Sequence, residues 1–141
     1  MDARSSVLSV LRGYMAGWNA HDAELAARSL DADVEYYDAT LGVSQHGIAA
    51  ARDNVISFFL DALPDLRWTM VDEPLVEDGC AAFRWVFTGT NTGTAFEGSA
   101  PTGARIELRG MTFVKTRKGK IVYQGDFYDA LTLRTQLGLT G

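Results

Sequence analysis

The chain has 141 residues, 47% of them apolar and 22% charged, with a net charge of −5 from 13 basic and 18 acidic side chains. That length suits one domain spanning 1–141, and the balance excludes collagen-like, low-complexity and disulfide-scaffold chains. An acidic chain without a Lys/Arg run offers no footprint for a phosphate backbone or anionic lipid, so neither nucleic acid nor a membrane surface is expected as a partner.

Residues 5–20 read as an amphipathic helix. Val7, Leu11, Tyr14, Met15 and Trp18 recur at helical spacing, with Ser5 or Ser6 as the cap. Asp22 is a good N-cap for a second helix, and 33–39 has the look of a short strand. Gly47 opens a third helix that Pro64 ends. From Leu66 the period changes to two. Leu66, Trp68 and Met70 share a face, as do Ala81, Phe83, Trp85 and Phe87 after a turn at 77–79. A glycine-rich loop is expected over 88–103, then a hairpin turning at Arg117-Lys118-Gly119, then a short helix ending at Gly138.

Helices followed by a meandering antiparallel sheet make an α+β pattern. A strongly curved sheet closed by helices forms a cone, a cone-shaped barrel whose apolar interior suits a small molecule. Cys80 stands alone and reads as a small buried hydrophobe; with only His21 and His46 beside it, no metal set is expected. No segment approaches about 18 uninterrupted apolar residues, and the first residues lack a signal-peptide core. The expectation is a cytoplasmic protein.

Six short motifs stand in order along the chain. They are Trp18-Asn19-Ala20-His21-Asp22, Pro64-Asp65-Leu66, Gly89-Thr90-Asn91-Thr92-Gly93, Pro101-Thr102-Gly103, Gly119-Lys120-Ile121 and Gln136-Leu137-Gly138. In this order and spacing the chain resembles the nuclear-transport-factor-2-like fold, and within it the SnoaL-like polyketide cyclase family. The resemblance implies a small, usually dimeric cone that works without metal or organic cofactor. It implies acid–base chemistry on an aromatic or polyketide-like molecule, such as an intramolecular aldol closure. A related branch acts in cofactor-independent hydroxylation, and a non-catalytic ligand-binding dimer stays open as well.

Asp126 lies in an aromatic, apolar strand where a lone carboxylate is costly unless paired or protonated. Alternation puts it with Val122, Gln124 and Tyr128, which leaves open whether it faces cavity or solvent. The resemblance implies that it is the acid–base group. Asp129 suits a helix cap, with pocket support as the other reading. Where the cyclase pattern has His on the preceding strand, this chain has Thr112, which cannot shuttle a proton near neutral pH. Against limonene epoxide hydrolases, Arg84 matches an Arg but Val86 replaces the second Asp. Against ketosteroid isomerases, Tyr14 and Asp38 match an oxyanion-hole Tyr and an Asp base, and Met111 replaces the protonated Asp. Arg84, beside Trp85, is expected in a pocket-wall ion pair with Asp126 or Glu107, and Arg109 on a solvated face. Trp18 and Tyr123 complete the expected binding set, and Gly125, where many relatives have Trp, is expected to widen the pocket beside Asp126. Apolar residues on both faces of 81–87 and 106–114 point to a homodimer through the outer sheet face.

Overall fold

A computed structural model, described here over residues 2–139, starts with helix α1 (Ala3–Asn19). Its cap is Asp2, whose carboxylate accepts from Ser5 N at 2.7 Å, rather than Ser5 or Ser6. A carboxylate adds a favourable charge at the positive end of the helix, which a hydroxyl lacks. The apolar stripe of α1 is buried as its spacing requires. Helix α2 (Ala23–Ala27) follows Asp22, which caps Leu25 N. The two helices cross closely at Gly17, where an added Cβ would lie 2.4 Å from Ala26 N.

Strand β1 (Leu30–Asp38) and a short β2 (Ser44–His46) form the first edge of the sheet. Three residues are too few for β2 to show a period in the sequence. The third predicted helix is one continuous rod, α3 (Ile48–Ala51) and α4 (Ser57–Ala62) joined by a π-helical turn (Arg52–Ile56). The wider turn lets the consecutive Val55 and Ile56 both bury completely.

Strands β3 (Arg67–Met70), β4 (Leu75–Glu77), β5 (Cys80–Thr90), β6 (Arg105–Arg117) and β7 (Lys120–Phe127) complete the sheet. Both predicted tight turns carry two successive positive φ angles, Asp78 and Gly79 at 50° and 77°, Lys118 and Gly119 at 52° and 75°. That is the twist-matched hairpin geometry. The long loop starts three residues later than expected, because β5 stays paired to β6 as far as Thr90 opposite Arg105. Buried Asn91 holds the loop: it donates to Ala62 O and Thr94 O and accepts from the backbone and hydroxyl of Thr102. Helix α5 (Ala130–Leu137) ends at left-handed Gly138.

The strand order is β2-β1-β7-β6-β5-β3, with β4 beside β5. Helices pack on the inner face of this curved sheet. Two details differ from expectation. The sheet is not closed into a barrel, and β1 pairs with β7 in parallel while every other pair is antiparallel. The parallel pair arises because the helices and the whole meander intervene between the first and last long strands.

Candidate active site

The core is not filled completely. A small pocket of about 20 Å³ lies between the helices and the inner sheet face. Its walls are aromatic and aliphatic: Trp18 from α1, Phe59 from α4, Trp68 from β3, Trp85 and Phe87 from β5, and Leu108 from β6. Asp38, Asp126 and Tyr128 are its polar lining. Strand alternation delivers the two carboxyls. Val34, Tyr36 and Asp38 share the inner face of β1, and Gln124 and Asp126 that of β7. In the parallel register Asp38 lies opposite Asp126.

Asp126 is held by three donors. Its Oδ2 accepts from the Tyr36 hydroxyl at 2.6 Å, and its Oδ1 from the Thr112 hydroxyl at 2.7 Å and Gln124 Nε2 at 2.8 Å. Each donor is itself placed. Tyr14 donates to the Tyr36 hydroxyl at 2.9 Å, and Trp85 Nε1 donates to Thr112 at 2.8 Å. Asp38 uses one oxygen only: Oδ1 accepts from the Tyr128 hydroxyl at 2.6 Å and from Thr40 N at 2.8 Å. The Thr40 hydroxyl also bonds the Tyr128 hydroxyl.

Burial in an apolar wall disfavours charge on both carboxyls. The Asp38 pKa is pushed up to about 7, first by burial and then by the neighbouring Asp126 charge, against hydrogen bonds from Tyr128 and Thr40. Burial also raises Asp126, and its bonds from Tyr36, Thr112 and Gln124 oppose that rise. Tyr14 and Tyr36 lie well above the ordinary phenol range, again chiefly through burial. Burial and the Asp38 charge raise Tyr128 too. All three phenols are therefore proton-bearing donors near neutral pH.

Of the residues expected at the site, Tyr14, Trp18, Asp38, Thr112 and Asp126 come together here. Arg84 does not. Its side chain is 62% exposed on the outer face, and its Nε bonds Asp72 at 2.8 Å. It adjoins Trp85 in sequence, and for that reason it points the opposite way. Tyr123 is also on the outer face, beside Phe113 with ring centroids 6.2 Å apart. Gly125 does not widen the cavity: a Cβ there would meet the Phe127 ring and the Tyr123 hydroxyl outside. Asp129 caps α5 through Leu131 N at 2.9 Å. Tyr36, Gln124 and Tyr128, none of them among the expected site residues, carry polar contacts to the two carboxyls. The available signal was positional, since Tyr36 and Gln124 each lie two residues before an inward-facing Asp.

A profile of the SnoaL-like polyketide cyclase family matches residues 8–137. The chain belongs to that family. Solved structures agree with it at the level of fold. TsrD from Streptomyces laurentii is 24% identical with a TM-score of 0.82, covering 99% of both chains. AclR, a candidate hydroxylase from Streptomyces galilaeus, is 23% identical with a TM-score of 0.79, covering 96% of this chain and 83% of its own. IdmH, a candidate polyketide cyclase from Streptomyces antibioticus, is 23% identical with a TM-score of 0.76, covering 94% of this chain and 98% of its own. A search of curated proteins returns no match. For this SnoaL-like chain, no helix among the described residues is long and apolar enough to cross a membrane.

Proposed function

We propose that this protein is a cofactor-independent acid–base enzyme that closes a ring in an aromatic, polyketide-like molecule by an intramolecular aldol reaction. The observation that carries the reading is a pair of buried carboxyls, Asp38 and Asp126, lining a cavity whose other walls are largely aromatic. A binding cavity for apolar ligands has no need of two carboxyls, whose burial is costly. An aldol closure needs a proton taken from a carbon flanked by carbonyls and a proton delivered to the carbonyl oxygen under attack. The conjugated carbonyls of such a substrate spread the enolate charge. The aromatic walls suit an aromatic substrate.

The test is incubation with neutral aromatic esters bearing 1,3-dicarbonyl side chains. The expected product is a ring-closed isomer of unchanged mass. A product heavier by one oxygen atom would favour the hydroxylase reading, which the replacement of the cyclase His by Thr112 keeps alive. Tight binding without conversion would favour a ligand-binding protein.

We further propose a homodimer through the outer sheet face. Met111 and Phe127 are 46% and 44% exposed there, opposite each other across β6 and β7, with Phe113 and Tyr123 nearby. Light scattering at micromolar concentration is expected to return twice the chain mass, and a monomer would refute this.

A further inference from the structure

The two carboxyls are not equivalent, and their hydrogen bonds tell them apart. Trp85 Nε1 has only a proton to give, so the Thr112 hydroxyl accepts it and turns its own proton to Asp126. Gln124 and Tyr36 supply two more donors, so both oxygens of Asp126 are occupied as acceptors. A carboxyl receiving three donors is stabilised as the anion. Asp38 differs. Both of its donors fall on Oδ1, and among the described residues none reaches Oδ2. Asp38 itself lines the pocket, and its Oδ2 is left without a donor there.

We propose that Asp38 is the catalytic carboxyl, exchanging protons with the substrate through Oδ2, and that Asp126 is a positioning residue held as a fixed anion. This rests on the acid–base function proposed above and divides the labour within that site. Ionised Asp38 takes the proton from the activated carbon: the C–H bond breaks, an O–H bond forms at Oδ2, and the electron pair passes into the enolate. The enolate carbon then attacks the second carbonyl, and Oδ2 returns the proton to the new alkoxide. Substrate and product are isomers, so no co-reactant is consumed. The role of Asp126 is to keep Asp38 basic, since a second negative charge nearby disfavours ionisation of the first. The other titratable groups turned to this site are Tyr14 on α1, Tyr36 on β1 and Tyr128 after β7, all neutral near pH 7. Among the described residues no Lys, Arg or His lines the cavity to offset the pair.

The experiment is a pH titration of the protein labelled with carbon-13 at the aspartate carboxyls, followed by NMR without ligand. Wild type is expected to show one aspartate titrating near pH 7. Asp38→Asn should abolish that step, and Asp126→Asn should retain it but move it to lower pH. Should Asp126→Asn fold poorly, Tyr36→Phe removes one Asp126 donor and touches no atom of Asp38. It should raise the lower step of the pair and leave the upper one near pH 7. A near-neutral step that survives in Asp38→Asn and vanishes in Asp126→Asn overturns the assignment, as does the absence of such a step in wild type.

The catalytic half is read from deuterium exchange at the activated methylene of 2-tetralone, a flat aromatic ketone. Asp38→Asn should slow enzyme-dependent exchange by roughly 10²–10⁴-fold. Asp126→Asn should shift the pH profile to lower pH with a loss of roughly tenfold at its plateau. Equal loss in both variants at every pH overturns the division of labour. No exchange by wild type would overturn the proposed function, while the ligand-free titration would still report which carboxyl holds the proton.

Discussion

Asp38 and Asp126 are cross-strand neighbours in the one parallel pair of the sheet, and both carboxyls point into the same cavity. Adjacent strands lie about 4.8 Å apart, so two bare charges there would repel strongly. Burial and mutual repulsion disfavour ionising both carboxyls at once, and their titration belongs to the pair. The donors are shared unequally, three on Asp126 and two on Asp38.

Stability should depend on pH through Asp38. Its pKa is raised from the ordinary carboxylate value of 3.8 to about 7 on folding. Between those values the folded state binds a proton that the unfolded chain has lost, so stability falls as pH rises. The contribution is fully present below about pH 4 and gone above about pH 7. At about 1.4 kcal/mol per unit, the change is a few kcal/mol. Urea denaturation across this range should show the decline, and Asp38→Asn should flatten it and be the more stable protein above pH 7.

Thr112→Val should be costly for its size. It removes one donor from Asp126 and leaves Trp85 Nε1 without its acceptor. Each buried group left unsatisfied costs about 1–3 kcal/mol. Thr112→Ser keeps both bonds and should restore most of the loss in a urea melt. Equal stability of the Val and Ser variants would contradict the role given to this hydroxyl.

Gly110→Ala tests the packing behind that hydroxyl. A Cβ there would lie 2.5 Å from the Trp85 ring and 2.6 Å from Phe127 O. The ring must tilt, and overpacking of this kind costs about 1–3 kcal/mol. Tilting also draws Nε1 away from Thr112. Tryptophan fluorescence should shift with the loss in stability, and an unchanged spectrum at wild-type stability would count against the arrangement.

Asn91→Ala should loosen the 91–104 loop where it joins the end of α4. Four hydrogen bonds converge on this side chain, two given and two received. Truncation strands several of their partners, and a loss of about 2–4 kcal/mol is expected. Hydrogen exchange at Thr102 N, which donates to Asn91, should accelerate more than exchange in β6.

The helices, the long strands and both tight turns were legible in the sequence because each has a local cause: a period of 3.6 or 2, a cap, a glycine at positive φ. The sides of β6 and β7 were harder. Met111, Phe113, Tyr123 and Phe127 make the outer face nearly as apolar as the inner one, so alternation alone could not say which way Asp126 points. The same ambiguity misplaced Tyr123 and Gly125, whereas alternation with Trp85 already put Arg84 on the outer face of β5. The π-helical turn and the meeting of Asp38 with Asp126 depend on packing between distant segments, which no short window contains. Tyr36 is buried in the core, yet its hydroxyl holds Asp126.

The parallel junction of β1 with β7 also makes completion of the chain a protonation event. Tyr36 and Asp126 are 90 residues apart, and every bond between their strands waits for the last strand to emerge and dock. Until then the edge of β1 lacks its neighbour, and a water-exposed Asp38 ionises in the ordinary carboxylate range. Docking of β7 strips that water away and brings the second carboxyl alongside. At pH 5 to 6 the closing step must therefore draw a proton from solution. Refolding in a weakly buffered indicator dye should report it as a lasting alkaline step, timed to formation of the β1–β7 pair rather than to helix formation.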